Sequence, residues 1–379
     1  MLNRRTLRIK AMQTIFAYRQ SREANYGIAQ EYIAERFAPD LNSMEVQDKG
    51  LLNEQKQEAL KIFKENYKNQ SFHSVKGSEK KVNEAVDDAI RHYYSDVDKD
   101  FKFFKKNMVH EAEKIHDQYI SILNLLIAFA AKAGQDKRGG HDNFVKNLLI
   151  HALKFNESLE NVSLRRNLKW EDESIAWHWF KEFIKVDEEY LEYQKLDAPT
   201  FEDDRAIINH IIKNILFKNE VIDKHMEEGD LNWVEDRAII KSLVTKTIKS
   251  IPEEKDEDFE LQELSYNWED DKAFFIMLFE ETTNVESEYE ELIAKKTKNW
   301  DIERIAATDK VILDMAISEM INFPSIPVKV TINEYIEIAK KYSTPKSKTF
   351  VNGVLDVIAN ELVESGDIRK SGRGLIDNK

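Results

Sequence analysis

The residues best suited to chemistry in this chain are cations, and they gather at its two ends. Residues 1 to 22 contain Arg4, Arg5, Arg8, Lys10, Arg19 and Arg22, with no acid before Glu23. Arg5, Arg8, Met12, Phe16 and Arg19 follow steps of three and four, so on a helix they line one stripe. A cationic stripe with an aromatic inside it suits phosphate contact beside base stacking. Phe16 also has a plain reading as core, because an aromatic at helical spacing usually packs inward. Between Lys329 and Phe350 five lysines meet only Glu334 and Glu337. Lys346, Ser347 and Lys348 fall in the first turn of the last expected helix, where the dipole and free N–H groups favour an anion. The formal net charge of −14 opposes non-specific nucleic-acid binding. Any such chemistry must therefore use a basic face on an acidic body. On charge alone, a solvated helix surface is the simpler reading.

Other chemistries find little support. The chain has no Cys, which removes disulfides, thiolate metal sites and cysteine nucleophiles. It contains no GxxxxGK[ST], GxGxxG or HExxH pattern. His110 and His116 lie six residues apart, on different helix faces, and make a poor metal pair. The acidic run PEEKDEDFE at 252–260 has carboxylates without placed partners and reads as a solvated linker. No enzyme activity, metal or cofactor is expected.

The elements that must position the cations are helices. Among 379 residues there are only 11 Gly and 6 Pro, too few for a loop-rich sandwich or propeller. High charge (33%) beside high hydrophobicity (42%) fits long amphipathic helices. The apolar stretch ISILNLLIAFAAKAG at 120–134 is too short to span a membrane and reads as a buried helix capped by Gly134. The start MLNRRTLRIKAMQ lacks a signal-peptide core, so a soluble, cytoplasmic protein is expected.

An aromatic followed by acids and an apolar run recurs at Trp170, Phe201, Trp233, Trp268 and Trp300, a pattern suited to helix starts. At an offset of 67, DDRA at 203–206 aligns with DDKA at 270–273, so either a duplicated helix pair or the general likeness of helix starts explains it. Thr308 to Met320 reads as a buried helix. Thr331 and Glu334 have capping-box spacing, and Thr344 with Pro345 reads as the start of the last helix. Gly353 falls inside that helix, where its cost suggests close approach of another backbone.

The sequences IERIAATDKVILDMAISEM and IPVKVTINEYIEIAKKYSTPKSKTFVNGVLD resemble the C-terminal half of the NusB family of transcription antitermination factors. RRTLRIKAMQTIFAY resembles the family's arginine-rich first helix, and DDKAFFIMLFEETTNVESEYEELIAKKTKNW the helix pair before its C-terminal half. The resemblance covers residues 1–38 and 268–364 and is similar to the enlarged family members of the Bacteroidota. It implies an all-α fold with a core of two packed three-helix bundles, which leaves a large helical insertion at 39–267; residues 365–379 are expected to form a flexible basic tail. It also implies RNA binding without catalysis: boxA-type single-stranded RNA, a NusE-like small-subunit ribosomal protein, and RNA polymerase, notably in ribosomal RNA operons. The RNA-contacting residues it implies are Arg4, Arg5, Arg8 and Phe16 of the first helix, and Lys346, Ser347, Lys348 and Phe350 of the last. The stripe itself adds Arg19. The chain departs from the family at Lys346, where an acid is frequent, and at Thr349, usually a Lys.

The rival is a protein-binding scaffold that has lost RNA binding, with Trp170, Trp177, Trp179, Trp233, Trp268 and Trp300 as possible anchors. The two part on the stripe. RNA binding needs it exposed beside Lys346 and Lys348, whereas a scaffold can bury Phe16 and disperse the arginines.

Overall fold

The computed structural model describes residues 1–40, 42, 44, 46–170, 173–253, 259–296 and 305–378. The start at Trp300 and most of the acidic run at 252–260 lie outside the described residues. Every regular element among the described residues is helical, and no helix among them is long and apolar enough to cross a membrane. The chain forms two compact units, one of Met1–Arg4 and His110–Asp271, the other of Arg5–Val109 and Lys272–Lys379. Residues 39–109, which the sequence groups with the insertion, fall in the second unit. The acid is nearly evenly divided by unit but the base is not: the first holds 22 basic and 36 acidic residues, the second 34 of each. The whole excess of −14 therefore belongs to the first unit, and the second is electrically neutral.

The second unit begins with α1 (Arg4–Arg36), longer than the 4–20 stretch that the apolar stripe marks. Its C-terminal half packs with α2 (Lys49–Asn66) and the first part of α3 (Lys80–Gln135) around Ile33, Phe37, Phe63, Val82 and Ile90. This core is why residues 39–109 join α1. The unit is completed by most of α12 (Trp268–Asn284), by α13 (Glu286–Lys296), α14 (Ala307–Asn322), α15 (Val328–Tyr342) and α16 (Ser347–Glu364). The buried helix expected at 308–320 is α14, and every residue from Val311 to Met320 is buried. A helix buried on all sides is the centre of its unit.

Two expected starts are corrected. α15 begins at Val328, directly after Pro327, so Thr331 is a buried residue inside the helix and forms no capping box with Glu334. α16 begins at Ser347, and Thr344 and Pro345 belong to the preceding turn.

The first unit contains the rest of α3 and the short helices α4 (Asp142–Val145), α5 (Leu148–Phe155), α6 (Glu157–Arg166), α7 (Glu173–Trp179), α8 (Glu188–Gln194), α9 (Phe201–His210), α10 (Glu220–Gly229) and α11 (Trp233–Ser250). Gly134 does not cap α3, which continues to Gln135; the turn follows, with Gly139 and Gly140 at positive φ. Asn147, Tyr193 and Asp204 form a buried polar knot. The Tyr193 hydroxyl donates to Asp204 Oδ1 at 2.5 Å, and the Leu148 N–H donates to Oδ2 at 2.7 Å. Burial comes first among the causes that push the Tyr193 hydroxyl's pKa upward. Trp233 stacks on Phe217, and its indole N–H donates to Asp223. Trp179 is also buried, so these two tryptophans are core rather than exposed anchors.

The 67-residue offset holds in part in three dimensions. Phe201 and Trp268 are both first helical residues, and each opens a helix that is followed by a second, α10 and α13. Buried Ile207, Ile208, Ile211, Ile212 and Ile215 map onto buried Phe274, Phe275, Leu278, Phe279 and Thr282, whereas buried Phe201, Asp204, Leu216 and Phe217 map onto residues that are not buried. The shared burial along two turns is what a duplicated helix pair would leave, and two amphipathic helices of like period would share it as well.

Gly353 also departs from expectation. It is exposed on α16, and a Cβ there would meet no atom within 4 Å. Close approach occurs instead at buried Gly374, where a Cβ would lie 2.0 Å from the Pro324 carbonyl oxygen. That glycine sits in a 3₁₀ turn (Gly372–Asn378) of the segment read as a flexible tail. The segment is tied to the α14–α15 turn by the Ser371 N–H to Pro324 O and Lys370 Nζ to Phe323 O, both 3.0 Å. Gly353→Ala should raise stability by about 0.5–1 kcal/mol in urea unfolding, the helix-interior cost of Gly. Gly374→Ala should lower it and expose residues after Glu364 to protease.

Candidate nucleic-acid interface

The stripe predicted on α1 straddles the edge of the core. At ~100° per residue its five members span an arc of only ~80°, ordered Arg8, Arg19, Met12, Arg5, Phe16. The first three are turned inward and the last two reach solvent. Arg8 is 4% exposed and Met12 is buried, whereas Phe16 is 37% exposed. The expectation of a continuous exposed cationic stripe is therefore corrected, because burial of Ile15, Ala11 and Leu7 beside Arg8 fixes the rotation of the helix.

Arg8 is consumed by the core. Its Nε and Nη2 each donate at 2.7 Å to the two carboxylate oxygens of Glu319 on α14. Glu319 is fully buried, and it also accepts from Thr331 Oγ1 at 2.8 Å and Tyr335 Oη at 3.1 Å. Four donors fill the roughly four lone-pair sites of a carboxylate. The guanidinium lies 5.3 Å from the centre of the Phe274 ring. Burial alone would lower the Arg8 pKa, but the bonds to Glu319 outweigh it and the net shift is upward. Tyr335 is pushed well up, first by burial and then by the Glu319 charge. Arg19 is similarly engaged, with Nη2 at 2.5 Å from the buried Asp314 of α14.

The cations that reach solvent are held differently. Arg5 is half-exposed and forks onto Glu334 of α15, with Nε and Nη2 each 2.7 Å from a carboxylate oxygen. At the start of α16, Lys346 and Lys348 are exposed and Phe350 is half-buried. Ser347 between them is buried, and its hydroxyl donates to Asp309 Oδ2 of α14 at 2.6 Å. That bond fixes the first turn of α16 and sends the flanking lysines outward. Glu337, one turn beyond Glu334, binds Lys340 and is also stabilised as an anion by Arg5 and Lys348. The two basic regions of the sequence thus converge on one acidic row of α15. Arg4 belongs to the first unit, where its Nε lies 3.3 Å from Asp271.

The acids that organise this site, Asp309, Asp314, Glu319 and Glu334, were not identified from sequence. A signal existed: Asp309, Asp314 and Glu319 recur every five residues in an otherwise apolar helix. Buried charge of that kind requires a partner.

Removing either member of the Arg8–Glu319 pair leaves an uncompensated buried charge. Arg8→Met should cost about 3–5 kcal/mol in urea unfolding. Adding Glu319→Leu should recover part of that loss but not all, because Thr331 and Tyr335 lose their acceptor. Arg8→Glu, a natural choice for a surface cation, is expected to unfold the protein.

Glu334 supplies a pH test. Its bond to Arg5 is the largest cause holding its pKa below the ordinary 4.5, with burial opposing. The pair's contribution is therefore present above pH 4.5 and is lost as pH falls through the lowered folded value. Glu334→Gln should cost less than about 1 kcal/mol at pH 7, as for a pair exposed at one end, and the two proteins' stabilities should converge below pH 4.5.

The family model described as NusB family matches residues 237–360. The transcription antitermination protein NusB of Salinibacter ruber is 52% identical over 99 residues, 26% of this chain and 62% of that protein. Its counterpart from Chloroherpeton thalassium is 53% identical over 85 residues, 22% of this chain and 40% of that protein. The one from Koribacter versatilis is 44% identical over 94 residues, 25% and 64%. The chain thus spans less than two thirds of the length of these relatives. No solved structure matches it. The matched segment contains α14, α15 and most of α16, with Glu319, Glu334, Lys346 and Lys348. Residues 237–360 are thus similar to the NusB family, within a longer chain whose regular elements are helical among the described residues.

Proposed function

We propose that this chain is a non-catalytic, RNA-binding transcription antitermination factor. In this reading it binds boxA-type single-stranded RNA together with a NusE-like ribosomal protein and joins RNA polymerase, notably on ribosomal RNA operons. The RNA-binding domain is formed by residues 1–38 and 268–364, with 39–267 as an insertion. The observation that carries the reading is the fork of Arg5 from α1 onto Glu334 of α15, with exposed Lys346 and Lys348 at the start of α16, the helix packed on α15. Exposed Phe16 and half-buried Phe350 on the same two helices offer apolar faces on which bases can stack. Phosphate contacts by the lysines position the RNA, and the aromatic contacts hold its bases. Arg8, Arg19 and Ser347 serve the same face from inside, through Glu319, Asp314 and Asp309. The net charge of −14 does not oppose this reading, because the unit that carries the face is neutral.

A protein-binding scaffold is the second reading, favoured by the burial of Arg8 and Arg19 among the stripe residues. Fluorescence anisotropy separates the two, using a boxA-containing leader RNA and a scrambled control, with and without a NusE-type partner, across a salt series. The expected result is partner-enhanced binding that prefers boxA and weakens linearly in log affinity against log salt. Lys346→Glu with Lys348→Glu should lower RNA affinity about tenfold or more without changing the unfolding midpoint. Absence of binding in every combination would leave the scaffold as the function.

A further inference from the structure

The face carries its own anions, and one of them has the geometry of a ligand. We propose that Glu334 occupies, in the free protein, the position at Arg5 that an RNA phosphodiester takes in the complex, so that RNA gains this contact only by displacing the carboxylate. The inference rests on the RNA-binding reading above.

The argument begins with the fork. Two parallel N–H···O contacts of 2.7 Å from Arg5 Nε and Nη2 are the arrangement by which a guanidinium grips either a carboxylate or a phosphate. The Arg5 side chain is 51% exposed, so a phosphate can reach it from solvent. Arg8 makes the same fork with Glu319, but that pair is buried and has two further donors on the carboxylate. One fork is closed and the other can exchange. Only the Arg5 end of the pair is exposed; Glu334 is 19% exposed and lies 3.9 Å from Arg8 Nη1, so it keeps a cation beside it when Arg5 exchanges it for a polyanion. The next turn repeats the pattern, with Glu337 on Lys340 and close to Lys348.

This arrangement sets the salt response. A free cation sheds condensed counterions from RNA when it meets a phosphate, but Arg5 starts out neutralised by Glu334. Its contact should therefore be nearly missing from the salt dependence of the unmodified protein. Glu334→Gln keeps the shape of the side chain and removes the charge. The slope of log affinity against log salt should then steepen by about 0.7, the increment for one single-strand phosphate contact. Affinity at low salt should rise several-fold for boxA and scrambled RNA alike, since a phosphate contact carries no base information.

The experiment is the anisotropy salt series on four full-length proteins: unmodified, Glu334→Gln, Arg5→Gln, and the double variant. Thermal unfolding of each checks the fold. Arg5→Gln should erase the gain in the Glu334→Gln background, and should lower affinity less in the unmodified protein than in that background. If the Glu334→Gln protein does not fold, the salt slope of Arg5→Gln reads the same occupancy, because loss of a cation already neutralised leaves the slope where it was. RNA binding with an unchanged slope in Glu334→Gln, or an equal loss from Arg5→Gln in both backgrounds, would overturn the inference while leaving the RNA-binding reading intact. Failure of the unmodified protein to bind RNA would remove both.

Discussion

A single buried carboxylate sets the geometry of the second unit. Glu319 lies fully buried on α14, and a charge there is tolerated only if every acceptor site is used. Arg8 of α1 supplies two donors, and Thr331 and Tyr335 of α15 supply one each. Three helices are thereby locked in both register and rotation, because no slip of α1 or α15 keeps four donors on two oxygens. An apolar core alone would tolerate small rotations of α1. The fork does not. With Arg8 fixed inward, Arg5 and Phe16 come out at the rim on the same side, about 60° and 80° around the helix.

The fold class was legible because it rests on composition and period. Scarce Gly and Pro and the apolar rows in α14 and α16 have direct physical causes, and the buried positions follow them. The site was only half legible. Arg5, Arg8, Met12, Phe16 and Arg19 share a stripe, but a stripe lying at the edge of the core has members on both sides of that edge. Residue type does not decide which arginine goes inside. That depends on Glu319 and Asp314, more than 290 residues further along the chain. The start of α15 was misread for a similar reason. Thr331 and Glu334 have capping-box spacing, but Pro327 begins the helix one turn earlier, and both side chains find partners on other helices. Gly353 shows that cost inside a helix need not imply a packed neighbour, since nothing lies near it.

Charge was the most misleading global quantity. A net −14 suggests a protein that repels RNA, but the value is an average over two units of different character. One carries the entire acidic excess and the other is balanced. Within the balanced unit, acids sit beside the exposed cations rather than away from them, as Glu334 does on Arg5 and Glu337 on Lys340. Local neutrality keeps such a face from attracting every polyanion, at some loss of affinity.

The position of the family match sharpens the role of the first helix. Residues 237–360 include Glu319, Thr331 and Tyr335, but they exclude Arg8. The matched segment thus brings a buried anion whose counter-charge lies outside it, near the start of the chain. A fragment confined to the match would have to bury Glu319 with hydroxyl donors only, or protonate it, and either costs free energy. α1 therefore does more than carry candidate RNA contacts. It completes the core of the segment that carries the family likeness, and by the same bond it fixes where Arg5 and Phe16 emerge. Core and surface roles are inseparable here, since one arginine's burial decides the exposure of the next.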